Sequence, residues 1–264
     1  QQDDSISFLE AVEGTREALS RSVELRLRSD VPLAFCLSGG VDSNALVGIA
    51  KNILGADVHG FTILNTDERY EEADLVDHAV REFGIRHTVV PIERKHFLDK
   101  LRQLIRIHDA PVYTITYFAH WLLMQAIADE GYKVVLSGTG ADELFSGYYD
   151  HHNAYLSVMR DTDCYSVALE NWERYVRPIV RNPFLKDPDY YTDDQRRREH
   201  VYLDAPTFSK NLTTSFCESF HEADYSKNLL RNRMANELMH ESVPVILHED
   251  DLNSMSVSIE NRSP

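Results

Sequence analysis

Two short segments of the chain combine glycines with hydroxyl and carboxylate side chains. The first reads SGGVDS at 38–43, and the second reads SGTGADELFSGYYD at 137–150. Glycine permits positive φ and close approach of the backbone to a ligand, and the N–H groups at a helix start favour anions. Asp42 and Asp142 add carboxylates, which approach a phosphate only with a cation between them; Mg²⁺ is the hard ion that suits both. These residue types predict a magnesium and phosphate site.

Apolar runs predict that both segments follow strands. VPLAFCL (31–37) precedes the first segment and KVVLSG (133–138) runs into the second. Nearly continuous apolar runs are typical of strands that are buried on both faces. Further strands are predicted at 58–64 and 85–91, with a helix at 70–84 between them. The βαβαβ order predicts a parallel sheet with right-handed crossovers, in which ligands bind at the carboxyl ends of the strands.

Helical spacing of apolar residues accounts for much of the remaining chain. The first helix is predicted over 5–28 with Ser5 as its cap, and the next begins near Val41. From about residue 150 onward no apolar strand is evident, and the Pro- and Asp-rich stretch 177–194 is predicted to be a long surface loop. Helices are also predicted at 94–107 and 117–130.

Composition narrows the class of protein. The 264 residues can form one large domain, and their formal charge of −16 repels the phosphates of nucleic acid. The three cysteines, Cys36, Cys164 and Cys217, form no CxxC pair, so neither a disulfide framework nor a zinc cluster is expected. No run approaches the roughly 20 apolar residues of a membrane span, and no signal peptide is evident. We expect a soluble cytoplasmic protein.

Three segments together resemble one family. SGGVDS resembles the pyrophosphate-binding (PP) loop of ATP pyrophosphatases and lacks the Walker A pattern. SGTGADELFSGYYD resembles the SGxGxDELFxGY signature of asparagine synthetases, and HEDDLNSMSVSIENRSP (248–264) resembles the later S-x-E-x-R-x-P region of that family. The resemblance implies an α/β fold with a doubly wound parallel sheet, adenine nucleotide alpha hydrolase-like, and an additional helical C-terminal layer. It also implies a single synthetase domain over 1–264.

The resemblance implies a role for individual residues of this chain. Asp42 and Asp142 would share Mg²⁺ and pyrophosphate, and Glu143 would brace its turn. Leu37 and Ile63 end strands of one sheet, so their side chains are expected to sandwich a purine, and the backbone at Ser137 and Gly138 to contact its edge or the ribose. The phosphate loop would consist of Ser38, Gly39, Gly40, Val41, Asp42 and Ser43.

One position departs from the family. Asparagine synthetases typically carry a glutamate where this chain has Thr139, in the slot implied to orient ammonia or manage proton transfer. A threonine hydroxyl forms hydrogen bonds but is not a general base near pH 7. Thr139 is therefore a candidate catalytic residue that leaves the substrate open. Amidation of a sugar uronic acid, or closure of a lactam or peptide ring, is an alternative to aspartate amidation.

The implied reaction is ATP-dependent: a carboxylate is adenylated, pyrophosphate leaves, and ammonia displaces AMP. Nothing here matches the glutaminase domain that supplies ammonia in full-length relatives, nor the FLD and lysine tail that follows in them, so a glutaminase domain or subunit is expected as partner. A homodimer is compatible with the sequence.

The rival functions are a tRNA-modifying enzyme, which the acidic charge disfavours, and a non-catalytic nucleotide-binding scaffold.

Three polar groupings have weaker predictions. His151 and His152 are adjacent in sequence and point in different directions on a helix, so a metal site is not expected there. Glu260 and Arg262 are expected to form a buried pair that braces the site. The acidic run 66–72 is interpreted either as a substrate or metal contact or as a solvated helix start.

Overall fold

The structure, a computed structural model, describes residues 5–64, 72–92, 95–202, 204–215, 218 and 220–264. The chain divides into two compact units, one formed by Gln1–Thr139 with Val245–Pro264 and the other by Gly140–Pro244. The single synthetase domain over 1–264 stays a prediction. Within the described ranges, no helix has both the length and the apolar character needed to cross a membrane.

The first unit contains a five-stranded sheet in which all neighbouring strands are parallel, as predicted. The strands are β1 (Leu33–Cys36), β2 (His59–Leu64), β3 (Arg86–Pro91), β4 (Val134–Leu136) and β5 (Glu260–Arg262). Their order across the sheet is β3-β2-β1-β4-β5. Phe35 of β1 pairs with Gly60 of β2 on one side and with Leu136 of β4 on the other. The strand β5 was not predicted because Glu-Asn-Arg has no apolar residue.

The helices alternate with the first four strands and then continue without strands through the second unit. They are α1 (Phe8–Arg26), α2 (Val41–Gly48), α3 (Ala73–Phe83), α4 (Phe97–His108), α5 (Ile115–Asp129), α6 (Ala141–Phe145), α7 (Tyr149–Met159), α8 (Tyr165–Asn171), α9 (Ala205–Ser209), α10 (Leu229–Asn236) and α11 (Val243–Met255). Short π-helical turns follow three of them, at Ile49–Ile53, Trp172–Val176 and Glu237–Glu241.

The ends of the predicted helices are corrected by local capping. The cap of α1 is Ser7 rather than the predicted Ser5, because Ser7 and Glu10 form a capping box in which each side chain bonds the other's backbone N–H. The helix α3 ends where predicted: Gly84 follows it in the left-handed conformation at φ 58°.

Apolar side chains cover both faces of the sheet. On one face Phe35 and Leu37 pack with Val47 of α2 and with residues of α1 and α3. On the other face Ala34 packs with Met124 of α5. Phe35 and Met124 are 1% and 0% exposed, and burying a side chain of this size contributes roughly 1.5–3 kcal/mol relative to leaving it in water. Helices on both faces make the fold a doubly wound α/β fold.

The second unit is helical, and its core includes residues that were predicted to lie in a surface loop. Leu185 and Tyr190, both from 177–194, are buried with Ala154 of α7 and Leu229 of α10. The stretch is irregular and mostly exposed, as predicted for a loop, but it also contributes these buried side chains to the core, which the prediction of a surface loop did not include. Prolines and aspartates dominate the composition of this stretch, but its few apolar side chains are buried without helical or strand periodicity.

Candidate active site

The phosphate-loop candidate 38–43 connects β1 to α2 and is held by its own hydroxyl groups. The Ser38 N–H donates to Ser43 Oγ over 3.1 Å, and the amide of Asn44 donates to the carbonyls of Ser38 and Gly40 over 3.0 and 2.7 Å. Gly40 occupies the cap position of α2 in an extended conformation. The loop is therefore fixed around a helix start, which favours anions.

An anionic oxygen already contacts this loop. The Gly39 N–H donates to Glu72 Oε2 over 2.8 Å, while the Gly40 N–H donates to Ser38 Oγ over 3.1 Å. Glu72 is the last residue of the acidic run 66–72, the rest of which lies outside the described residues. The contact shows that the Gly39 N–H can donate to a negatively charged oxygen, and phosphate oxygens are also negatively charged. The Val41 side chain is 83% exposed, so Val41 takes part in the loop through its backbone.

The second glycine turn meets the first one at the carboxyl ends of β1 and β4, which are parallel neighbours. A Cβ atom on Gly138 would lie 3.4 Å from Asp42 Cβ and 3.4 Å from the Ser43 backbone nitrogen. The Ser137 N–H donates to the Arg262 carbonyl over 3.0 Å, which continues the β4 to β5 pairing into the turn. The two turns therefore lie side by side, and Asp42 lies next to Gly138.

Two residues predicted to bind adenosine lie on opposite faces of the sheet. Leu37 is 4% exposed and packs on the α2 face, whereas Ile63 packs on the α5 face. The expected sandwich of a purine between these two side chains is therefore wrong. Consecutive strand residues alternate between the two faces of a sheet, and the register of β1 and β2 places these two residues on different faces. It stays a prediction that either residue contacts adenosine, through its backbone atoms or, for Ile63, through the exposed part of its side chain.

Thr139 connects the second turn to a buried polar network. Its hydroxyl donates to Asp250 Oδ2 of α11 over 2.9 Å and lies 3.2 Å from Ser137 Oγ. Asp250 Oδ1 lies 3.4 Å from His120 Nδ1 of α5. Burial is the main cause that holds the pKa of His120 below its usual value, opposed by the negative charge of Asp250. A carboxylate thus sits one hydrogen bond behind the threonine that replaces the family glutamate.

Asp142 belongs to the second unit, in the turn that includes α6. A Cβ atom at Gly147 would overlap the Asp142 carboxylate, so a side chain at this position would displace that carboxylate from its present place. Glu143 is 2% exposed and accepts a hydrogen bond from the Tyr148 hydroxyl over 2.7 Å, in accord with its predicted bracing role. Burial and this acceptor raise the pKa of Tyr148 above its usual value. Asp42 and Asp142 lie in different units, and their shared magnesium ion stays a prediction.

A chain of buried hydrogen bonds holds the turn at Gly147. The Gly147 N–H donates to His151 Nδ1 over 3.2 Å, and His151 Nε2–H donates to Glu237 Oε2 over 2.6 Å. Burial is the largest cause that raises the pKa of Glu237, against the bond from His151 and the charge of Arg233. The position of the glycine beside Asp142 therefore depends on a side chain of α7 and a residue that follows α10.

Asp150, His151 and Glu237 each offer a ligand atom, and these atoms lie within 4.8 Å of one another. Arg233, however, contacts Asp150 over 3.1 Å and Glu237 over 3.1 Å. A cation would have to compete with a guanidinium that already pairs with both carboxylates. The group fits an ion-pair network better than a metal site.

The pair Glu260 and Arg262 differs from its prediction. Arg262 Nε donates to Glu260 Oε1 over 2.8 Å, but the Glu260 side chain is 61% exposed, so the pair is not buried. Arg262 also donates to the carbonyls of Arg26 and Arg28 over 2.7 and 2.8 Å. Its main contact is with the carboxyl end of α1, where cations are favoured.

The comparison with known families agrees with this arrangement of two glycine turns on a parallel sheet. The sequence model described as asparagine synthase matches residues 14–264. The chain belongs to the asparagine synthase family.

Relatives within the asparagine synthase family differ in name and in length. Glutamine-hydrolyzing asparagine synthetase 1 of Bacillus subtilis is 30% identical over 137 residues, which cover 52% of this chain and 21% of the relative. Glutamine-hydrolyzing asparagine synthetase 3 of the same organism is 26% identical over 237 residues, covering 78% and 38%. Amidase chyE of Penicillium rubens is 26% identical over 159 residues, covering 55% and 24%. The chain therefore spans well under half of the length of each.

Sequence reasoning missed several residues that surround the site of this asparagine synthase family member. His120, Asp250 and Asn253 contact the second glycine turn or the network behind Thr139. Asp250 and Asn253 lie inside the third family-like segment, and that was the one available signal. Their partners are more than 100 positions away in the chain, which no local pattern reveals.

Proposed function

We propose that this chain is the synthetase part of an ATP-dependent amide-forming ligase, which adenylates a carboxylate and transfers the acyl group to ammonia. The observation that carries the proposal is the contact between the two glycine turns of a family member, with Asp42 at Gly138 and a loop N–H bound to a carboxylate. A loop of this kind binds phosphate, and the second turn supplies the polar groups beside it.

The reaction has two steps. An oxygen of the substrate carboxylate attacks the α-phosphorus of ATP, and pyrophosphate leaves with the electron pair of the broken bond. The ammonia nitrogen then attacks the acyl carbon, AMP leaves, and the nitrogen loses one proton. The N–H groups of Gly39 and Gly40 and the hydroxyls of Ser38 and Ser43 bind the departing pyrophosphate. Catalysis of this kind is positioning and electrostatic stabilisation, without a protein nucleophile.

Magnesium fits the residues that are present. Asp42 and Asp142 are hard oxygen donors of the type that Mg²⁺ takes together with phosphates, and Gly147 leaves the Asp142 carboxylate the space that a side chain would fill. Bound there, Mg²⁺ would neutralise charge that develops on the leaving pyrophosphate. The backbone at Leu37, Ser137 and Gly138, with Ile63 nearby along β2, is the proposed contact region for adenosine.

The substrate whose carboxylate is activated is proposed to be aspartate. A second class of carboxylic acids is the alternative substrate. Thr139 offers a hydroxyl instead of the family's carboxylate, and one relative carries the name of an amidase. These observations support the second candidate, in which the activated carboxylate belongs to a sugar uronic acid or to a peptide acid that closes a ring. The first half-reaction is the same for both candidates, so a single assay distinguishes them.

The test is exchange of labelled pyrophosphate into ATP with Mg²⁺, which requires adenylation but no ammonia. The carboxylates are L-aspartate, glucuronate, galacturonate and a panel of peptide acids, each added alone. We expect one of them to stimulate exchange, and ammonium chloride then to yield the matching amide by mass spectrometry. Stimulation by aspartate supports the synthetase assignment, whereas stimulation by another acid supports the second candidate.

A matched pair of variants separates chemistry from surface charge. Asp42→Asn removes a proposed magnesium ligand, whereas Asp57→Asn removes an exposed carboxylate that pairs with Arg86 at the surface. Exchange should fall by about 100-fold or more in the first variant, since metal ions supply several kcal/mol of charge stabilisation. It should be unchanged in the second. If no carboxylate stimulates exchange while ATP still binds, the chain is a nucleotide-binding scaffold instead.

The nitrogen donor is proposed to be ammonia delivered by a glutaminase domain or subunit. Two of the relatives are named as glutamine-hydrolyzing, and this chain aligns with only part of each. With this chain alone, ammonium chloride should support amide formation and glutamine should not. Amide formation from glutamine by the isolated chain would reject the need for a separate glutaminase.

A further inference from the structure

The inference concerns the residue that accepts the proton released when ammonia attacks. Thr139 Oγ1–H donates to Asp250 Oδ2 over 2.9 Å, and Asp250 is 7% exposed. A hydroxyl whose proton is already directed at a carboxylate can accept a proton from a third group while passing its own to that carboxylate. The geometry therefore gives the threonine a function that its own acidity does not provide.

The other Asp250 oxygen faces the ring of His120. The amide nitrogen of Asn253 donates to the Tyr117 carbonyl over 3.0 Å, which fixes the orientation of the Asn253 side chain. The same nitrogen lies 3.1 Å from His120 Nδ1, so that Nδ1 is the acceptor and carries no proton. Asp250 Oδ1 faces this lone pair at 3.4 Å.

The histidine remains neutral because of its surroundings. Burial lowers the pKa of His120, and no described residue gives its Nε2 atom a hydrogen-bond partner. The Cys36 thiol also faces Asp250 from β1, and burial raises its pKa to about 12, with a smaller contribution from the charge of Asp250. His120 and Cys36 therefore add no positive charge beside Asp250, and the Thr139 hydroxyl is the group that donates a hydrogen bond to its carboxylate.

We propose that Asp250, acting through the Thr139 hydroxyl, accepts the proton of the attacking ammonia. The proposal rests on the proposed function and names the residues that replace the missing glutamate. As the N–C bond forms and the bond from the acyl carbon to the AMP oxygen breaks, a proton moves from nitrogen to Thr139 Oγ1. The Thr139 proton moves at the same time to Asp250 Oδ2, so the hydroxyl is unchanged after the step.

The test separates the two half-reactions in Asp250→Asn. Adenylation is measured by pyrophosphate exchange with the carboxylate that stimulates it in the wild-type chain, and acyl transfer by amide formation with ammonium chloride. Exchange should stay near the wild-type rate, while amide formation should fall by about 100-fold or more, the range typical of general-base catalysis. Hydroxylamine, a weaker base than ammonia, should restore much of the lost rate, because its attack releases a more acidic proton.

The matched control is Glu249→Gln, which removes the neighbouring buried carboxylate of α11 that pairs with His108 instead of His120. It should affect both half-reactions equally, through stability alone. Thr139→Val should reproduce the selective loss of amide formation. Thr139→Ser keeps the hydroxyl and should therefore retain amide formation. Thr139→Val also replaces Asp250→Asn as the main test if the latter does not fold, because it removes one hydroxyl and keeps the side-chain shape.

Equal losses of exchange and amide formation in Asp250→Asn would assign Asp250 a structural role and overturn the proposal. Unchanged amide formation in Thr139→Val would overturn it as well. If wild-type exchange responds to no carboxylate, the proposed function itself fails, and this inference fails with it. The wild-type exchange assay distinguishes that case from the others.

Discussion

Replacing Arg233 by methionine tests the ion-pair network that holds the Asp142 turn. Arg233 is 7% exposed and contacts four carboxylates: Asp150 at 3.1 Å, Glu222 at 2.8 Å, Glu237 at 3.1 Å and Glu241 at 2.6 Å. Methionine keeps most of the volume and removes the charge. Removing one partner of a buried ion pair typically costs about 3–5 kcal/mol, because the other charge is left without compensation. At about 2–4 °C per kcal/mol for chains of this size, the melting temperature should fall by about 6–20 °C.

The loss of stability in Arg233→Met should depend on pH, and the pKa shifts of the wild-type network predict the direction of that dependence. Burial alone would raise the pKa of Glu241, but its bonds to Arg198 and Arg233 hold it below the usual value. In the wild type this stability is present above the unfolded pKa near 4 and is lost as the pH falls through the lowered folded pKa. Without Arg233, burial dominates and the carboxylates of Asp150 and Glu237 have raised pKa values. The variant should therefore lose more stability at pH 8 than at pH 5.

Tryptophan fluorescence during urea unfolding can report on each unit separately. The chain has two tryptophans, and Trp121 lies in the first unit while Trp172, 3% exposed, lies in the second. In a Trp121→Phe background, Trp172 alone reports the unfolding of the helical unit. Arg177→Met is the control, since its pair with Glu173 is exposed and such pairs contribute about 0–1 kcal/mol. A loss below 1 kcal/mol for Arg233→Met, or one that does not vary between pH 5 and 8, would refute the reasoning.

Three further predictions follow from single positions. Gly147→Ala should lower pyrophosphate exchange by about tenfold or more, since its Cβ would displace the Asp142 carboxylate that we propose holds Mg²⁺; an unchanged rate would count against that ligand. Gly14→Ala, in open space within α1, should instead stabilise the chain by about 0.5–1 kcal/mol in urea unfolding and leave exchange unchanged. Iodoacetamide at pH 8 should modify exposed Cys164 and spare Cys36, whose buried thiol has a pKa of about 12; mass spectrometry of rapid Cys36 alkylation would contradict this.

Most of the sheet was predictable because each of its first four strands contains an apolar run, which is continuous in β1 and β4. Four strands and the helices between them were located from apolar runs and from glycines such as Gly84, and their parallel arrangement follows from the βαβ order. The polar strand β5 was not predictable in this way, since it pairs at the edge of the sheet through its backbone. The stretch 177–194 misled for the opposite reason: its buried tyrosines and leucine follow no period.

The site was predictable at the level of its turns and not at the level of its side-chain contacts. Glycine spacing located the loops at Gly39 and Gly138, and the contact between them follows from adjacent parallel strands. The side chains of Leu37 and Ile63 were expected to face each other because both end strands. That expectation ignored strand parity, which places them on opposite faces of the sheet.

Thr139 occupies a position where a glutamate is typical of the family. This difference shows why a change within a motif does not by itself indicate lost activity. Read alone, the threonine removes a base from the site. In the structure its hydroxyl bonds to Asp250, 111 positions later in the chain, so a carboxylate is kept one hydrogen bond further from the turn. In the mechanism that we propose, a base one hydrogen bond further away would leave more room beside the acyl carbon and still offer a route for the proton. The same change therefore suits a bulkier acceptor acid without requiring a new mechanism, and the selective loss expected in Asp250→Asn would measure how much of the base's contribution was retained.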